Sequence, residues 1–77
     1  MVEGEARGYI TRRFGVQVVR TWSGIAEALG MGVRTVQRYA YRAVDPMPIR
    51  KEEASGQVWI PYSELLVWAD RNGLGLR

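Results

Sequence analysis

The fold class of this chain follows from residues 21–43, which read TWSGIAEALGMGVRTVQRYAYRA. Apolar residues at positions 22, 25, 26 and 29 recur at helical spacing and form one stripe. Thr21 is a good N-cap for this helix, because its hydroxyl can accept a hydrogen bond from a first-turn N–H. Gly30 and Gly32 follow, and glycine favours the left-handed conformation that ends helices. The stretch predicts a short helix over 22–29 and then a tight turn.

A second helix is predicted from Val33 to about Ala43. Its inner stripe comprises Val33, Val36, Tyr39 or Ala40, and Ala43, and its outer face carries Arg34, Thr35, Gln37, Arg38, Tyr41 and Arg42. Two short helices joined by a glycine-bearing turn are typical of a helix-turn-helix. That motif places the outward side chains of its second helix in the major groove of DNA. There, arginine can pair with guanine and glutamine with adenine.

The remainder of the chain predicts a β-hairpin and a third helix. Residues 45–48, which read DPMP, are predicted to stop the second helix, because proline disfavours helical conformation before it. Strand-like runs at 49–51 and 57–60 flank a loop over 52–56. The last helix is predicted over 62–72, with Leu65, Trp68 and Ala69 on one face. The predicted fold is mainly α with a small β-hairpin, in a domain over 21–72 followed by a tail over 73–77.

The first twenty residues allow two interpretations. Phe14, Val16 and Val18 alternate with smaller or polar residues, which favours a short strand. A helix through residues 9, 10, 13 and 14 also fits the pattern. Because the apolar stripes of residues 22–69 can close on one another, we expect residues 1–20 to be an N-terminal extension. This extension, a short strand or arm, is expected to be accessory to the core.

Composition excludes most catalytic classes. The 77 residues suit one small domain, and the absence of cysteine and histidine excludes disulfides, thiolate zinc sites and histidine-based catalysis. No paired carboxylates, phosphate loop or nucleophile–base set is evident, so we expect no enzyme activity and no cofactor. Ten of the eleven basic residues are arginine, the side chain suited to bidentate phosphate and guanine contacts. Residues 1–44 hold seven arginines against three glutamates, so the positive charge is concentrated there.

The chain resembles the excisionase-like and MerR-like winged helix-turn-helix domains over roughly residues 21–70. The segments that carry the resemblance are 22–30, 33–39 (VRTVQRY), 48–50 (PIR), 58–60 (VWI) and 64–68 (ELLVW). The resemblance implies a recognition helix over about 33–43, a β-hairpin wing on phosphates or the minor groove, and a last helix that closes the core. Gly32 stands where family members commonly have serine or threonine, and Tyr39 replaces a frequent tryptophan. Glu52 and Glu53 would repel phosphate at the wing tip.

These observations predict sequence-dependent binding of double-stranded DNA, as in an excisionase-like protein or a transcriptional regulator. The predicted DNA-contacting residues are Arg34, Thr35, Gln37, Arg38, Arg42, Arg50 and Lys51. Few basic contacts bind weakly at physiological salt, so a homodimer or a larger protein partner is expected. A cytoplasmic protein without membrane contact, metal or small-molecule substrate is also expected. The alternative is a protein-interaction module with Tyr9, Phe14 and Tyr41 in its contact surface.

Overall fold

Three helices and four strands make up the part of the chain that the structure describes. The structure is a computed structural model, and it describes residues 10–13 and 15–75. The elements follow one another as β1 (Ile10–Arg13), β2 (Val16–Arg20), α1 (Trp22–Leu29), α2 (Val33–Tyr41), β3 (Arg50–Lys51), β4 (Val58–Pro61) and α3 (Tyr62–Arg71). The predicted helix–turn–helix–hairpin–helix order is therefore confirmed, and two further strands precede it.

The four strands form one antiparallel sheet in the order β1-β2-β4-β3. Residue 19 of β2 pairs with residue 60 of β4, and residue 50 of β3 pairs with residue 59 of β4. The predicted hairpin is therefore the outer half of a larger sheet, and β1 and β3 are its outer strands. The fold is a small α/β domain, which corrects the expectation of a mainly α fold.

Strand β2 belongs to the hydrophobic core, in contrast to the expectation that residues 1–20 are accessory. Val18 and Val19 have no exposed surface, and Val19 packs in one cluster with Ile25, Ile60 and Leu65. The short-strand interpretation of this stretch is confirmed for β1 and β2. Residues 22–69 therefore do not contain the whole core, because β2 contributes Val19 and pairs with β4.

The first helix and its turn form as the sequence predicts. The Oγ1 of Thr21 accepts a hydrogen bond from the N–H of Gly24 at 2.9 Å, and Gly30 ends the helix with a φ of 70°. Thr21 itself has a φ of 70°, which is strained for a β-branched residue. Its N–H donates to the carbonyl of Val58 at 2.9 Å, so this backbone contact joins the start of α1 to β4.

Helix α2 ends at Tyr41, two residues before its predicted end. Arg42 is extended, and Ala43 and Val33, both predicted to face inward, are exposed. Gly32 is the N-cap and supplies no side-chain hydrogen bond, as expected for glycine. Only Val36 and Ala40 of this helix are buried, which leaves most of its circumference available for contacts.

The predicted core residues of the three helices are confirmed at Ile25, Leu29, Val36, Leu65 and Trp68, all of which are buried. Trp22 is half-buried and packs against that cluster. Met47 is also buried, although the sequence indicated only a helix stop there. Its N–H donates to the carbonyl of Tyr39 at 3.1 Å, which fixes the loop after α2 against the helix.

Candidate nucleic-acid interface

The outward face of α2 carries two arginines that have no polar partner among the described residues. Arg34 and Arg38 are exposed and lie one helical turn apart. Neither makes an ion pair or a side-chain hydrogen bond with any residue that the structure describes. Buried Val36 and Ala40 lie on the opposite side of the helix. Both guanidinium groups are therefore available to an external acceptor.

The polar residues between and beside these arginines are less exposed. Thr35 and Gln37 are both half-buried, on either side of the Arg34–Arg38 line. A groove of about 460 Å³ runs along the helix and is lined by Thr35, Arg38, Tyr39 and Arg42. Four predicted contact residues therefore lie on the side of α2 away from Val36 and Ala40, with Arg34 and Arg38 exposed and Thr35 and Gln37 half-buried beside them.

Arg42, which is predicted to contact DNA, is held by several contacts within the fold. Its guanidinium group donates two hydrogen bonds to the carbonyl of Asp45, at 3.0 and 3.2 Å, and another to the Oδ1 of Asn72. The same group lies over the rings of Tyr39 and Trp68, with 5.0 and 5.5 Å to the centroids. A side chain held by this many contacts is a packing residue of the loop that follows α2.

Asp45 is the centre of the polar network that joins this loop to α3. Its carboxylate accepts hydrogen bonds from Arg71 at 2.7 and 2.9 Å and from the Nδ2 of Asn72 at 3.0 Å. Its carbonyl also accepts from the indole N–H of Trp68 at 2.9 Å. The hydrogen bonds from Arg71 and Asn72 favour the ionised carboxylate and lower the pKa of Asp45 from 3.8 to about 2.

The lowered pKa of Asp45 predicts an acid-sensitive contribution to stability. A carboxyl group with a depressed folded-state pKa stabilises the fold above its unfolded pKa and loses that contribution as pH falls towards the folded value. The gap between the melting temperatures of the wild type and Asp45→Asn should therefore be widest near neutral pH and narrow from about pH 4 towards pH 2. Circular dichroism melts across this range measure it, and a gap that stays constant would contradict the assignment.

The two predicted contact residues of the second hairpin differ in their surroundings. Arg50 pairs with both carboxylate oxygens of Glu64, at 2.7 and 3.1 Å, and lies over the Trp59 ring at 5.6 Å. Its charge is thus already compensated, which weakens the expectation that it contacts phosphate. The ammonium group of Lys51 lies 5.8 Å from the centre of the Tyr41 ring, so Lys51 stands beside the end of α2.

Tyr41 is an exposed aromatic residue at the junction of α2 and this hairpin. Its side chain is 62% exposed, and its ring lies 5.9 Å from that of Trp22. One continuous surface at the C-terminal end of α2 therefore comprises the rings of Trp22 and Tyr41 and the ammonium group of Lys51. The other two aromatic residues of the alternative interaction surface, Tyr9 and Phe14, lie outside the described residues.

Three arginines of the N-terminal hairpin form a second basic region that the predicted site did not include. Arg12, Arg13 and Arg20 line one depression together with residues of the loop between β3 and β4. Glu52, which was expected to repel phosphate at the wing tip, pairs with Arg13 at 2.7 Å. The arginine clustering in residues 1–20 was the only sequence signal for this region, because β1 and β4 are far apart along the chain.

Comparisons with known proteins give no further information on this surface. No family model, curated protein or solved structure matches this chain. No helix within the described ranges is long and apolar enough to cross a membrane. Among those same residues, no group of three or more metal-binding side chains comes together.

Proposed function

We propose that this protein is a winged helix-turn-helix protein that binds double-stranded DNA in a sequence-dependent manner, with α2 in the major groove. The observation that carries the proposal is the pair Arg34 and Arg38, exposed and unpartnered within the described chain, opposite the buried side of α2. Helix α1 is in contact with α2, and in a helix-turn-helix the second helix of such a pair enters a major groove about 12 Å wide.

The hairpin β3–β4 has the position of a wing in this proposal. It is the next strand pair after α2 in the chain, and Lys51, in the last pair before the hairpin loop, lies 5.8 Å from the centre of the Tyr41 ring at the end of that helix. Lys51 carries a charge without a paired carboxylate among the described residues, whereas Arg50 is paired with Glu64. Lys51 is therefore the better candidate for a phosphate contact, and Arg34 and Arg38 are the candidates for base contacts.

Substitution of Arg38 by alanine tests whether α2 reads bases. A preferred site is first selected from a random pool of duplexes, and binding is then measured by fluorescence anisotropy. Arg38→Ala should cost about 1–3 kcal/mol of binding free energy on the preferred site and much less on random duplex. The melting temperature should barely move, because Arg38 is exposed and alanine is a good helix former.

Lys51→Ala is the matched control for this measurement. A lost phosphate contact should weaken preferred and random duplexes about equally and reduce the salt slope by about one unit. If Arg38→Ala instead weakens both duplexes equally, α2 does not read sequence. If the selection returns no preferred site and wild type shows no salt-dependent duplex binding, the exposed Tyr41 surface points to the protein-interaction alternative.

A further inference from the structure

We infer that the depression between the two hairpins is a phosphate-binding site, separate from the face of α2. Its volume is about 370 Å³, and it is lined by Thr11, Arg12, Arg13, Arg20, Glu52, Ser55 and Gln57. Three arginines and one glutamate are among its lining residues, and Arg13 pairs with Glu52, so the lining carries a net positive charge. A phosphate group is the anion whose several oxygens suit converging arginine forks.

The arginines are held in place by contacts that leave donors for a ligand. Arg20 donates one hydrogen bond to the Oε1 of Gln57, at 2.7 Å, and Arg12 donates one to the carbonyl of Gly15, at 3.1 Å. Most N–H donors of these two side chains remain for an external acceptor. Arg13 is fixed by its ion pair with Glu52 and by the Trp59 ring, whose centre lies 4.8 Å from the guanidinium carbon.

Neutral donors complete the lining. Gln57 accepts from Arg20 with its amide oxygen, so its amide NH₂ group remains to donate. The Oγ of Ser55 accepts from the backbone N–H of Gln57 at 3.2 Å, which leaves its hydroxyl proton as a donor. Charged and neutral donors from both hairpins therefore border the same depression, as in a site built for an oxyanion.

The sheet register separates this site from the core. Arg20 lies on the same face as Trp59, because the two residues pair, and Arg13 shares this face because it pairs with Val16. Val19 packs into the core with Ile60 on the other face, from which Arg12 reaches the depression at the end of the hairpin. The phosphate has two sources, a free or small phosphorylated ligand and the backbone of nucleic acid. The second source rests on the proposed function, and the first does not.

Titration with inorganic phosphate tests the site directly. Arginine side-chain N–H signals are followed by NMR at constant ionic strength, with chloride as the balancing anion. The signals of Arg12, Arg13 and Arg20 should shift along a saturating curve, while those of Arg34 and Arg38 should not saturate. Equal, non-saturating shifts of all arginines, or the same shifts with chloride alone, would overturn the inference.

Two variants with the same charge change separate the hairpin from α2. Arg20→Gln should weaken phosphate binding about tenfold, because it removes a charge-assisted contact, whereas Arg34→Gln should leave the phosphate titration unchanged. Arg12→Gln gives the same test should Arg20→Gln fail to fold, because the one hydrogen bond of Arg12 is local. An unchanged phosphate affinity in a folded hairpin variant contradicts the site.

Binding to random-sequence duplex distinguishes the two phosphate sources. If backbone phosphate occupies the depression, Arg20→Gln should also lower duplex affinity and reduce the salt slope by about one unit. If Arg20→Gln loses phosphate binding but keeps wild-type duplex binding, the site stands and takes a small phosphorylated ligand. Should the wild type bind no duplex at all, the proposed function fails, and the phosphate titration still decides the site by itself.

Discussion

Trp68→Ala should lower the free energy of unfolding by about 3–5 kcal/mol, from the lost burial of the ring and the cavity it leaves. The side chain is 1% exposed, and its ring meets that of Tyr39 edge-on at 5.3 Å between centroids. Its N–H also donates to the carbonyl of Asp45, so the variant leaves this acceptor with one partner fewer. For a small domain with a stability of ~5 kcal/mol, this loss brings the protein close to unfolding at room temperature.

Urea unfolding followed by circular dichroism measures the loss of unfolding free energy in Trp68→Ala. Two further variants serve as comparisons. Trp68→Phe keeps an aromatic ring but lacks the N–H donor and part of the buried indole, so its cost should be smaller than that of Trp68→Ala and should combine the lost contact with Asp45 and a small cavity. Leu66→Ala changes an exposed residue of the same helix and should stay within about 0.5 kcal/mol of wild type. A Trp68→Ala protein that unfolds at nearly the wild-type urea concentration would show that α3 is peripheral to the core.

Deletion of residues 1–20 should abolish cooperative folding. The deletion removes β2, whose Val18 and Val19 have no exposed surface and whose backbone pairs with β4. Strand β4 would keep only the two-residue β3 as a neighbour, and an isolated two-stranded hairpin is marginally stable at best. Calorimetry or circular dichroism should show a broad, non-cooperative thermal transition for the shortened chain.

A chain that begins at Gly15 is the control for this deletion. It lacks β1 but retains β2 beside β4, so a cooperative transition should remain at a lower temperature. If the chain lacking residues 1–20 melts as cooperatively as this control, the core closes without β2. That outcome would restore the expectation that the first twenty residues are accessory.

Local signals along the chain were sufficient to predict α1, its turn and α3. Thr21, Gly30 and Asn72 act at helix ends through their own side chain or backbone, and their effect needs no distant partner. The second hairpin was predictable for the same reason, because its strands are adjacent in sequence. What the sequence did not disclose is pairing over distance, such as residue 19 with residue 60.

In the candidate site too, features set by local sequence were predictable and contacts between distant residues were not. Arg34 and Arg38 were predictable as exposed residues, because the buried side of α2 follows from helical spacing. In the sequence, Arg42 and Arg50 cannot be distinguished from Arg34 and Arg38. Their partners Asn72 and Glu64 lie in α3 or at its end, far along the chain, so the pairing was not predictable. The surroundings of the arginines in the first hairpin were not predictable, because they depend on the pairing of β2 with β4, which brings Gln57 beside Arg20.

The outer strands of the sheet have a consequence for self-association. Exposed strand edges invite pairing with the edge of another molecule, and charged side chains on them oppose it. One described edge, β1, carries Arg12 and Arg13, and the other, β3, consists of Arg50 and Lys51 alone. Two copies that approached edge to edge would bring like charges together along a very short ladder. The short, arginine- and lysine-bearing edges therefore disfavour pairing of copies strand to strand and growth of the sheet into fibres.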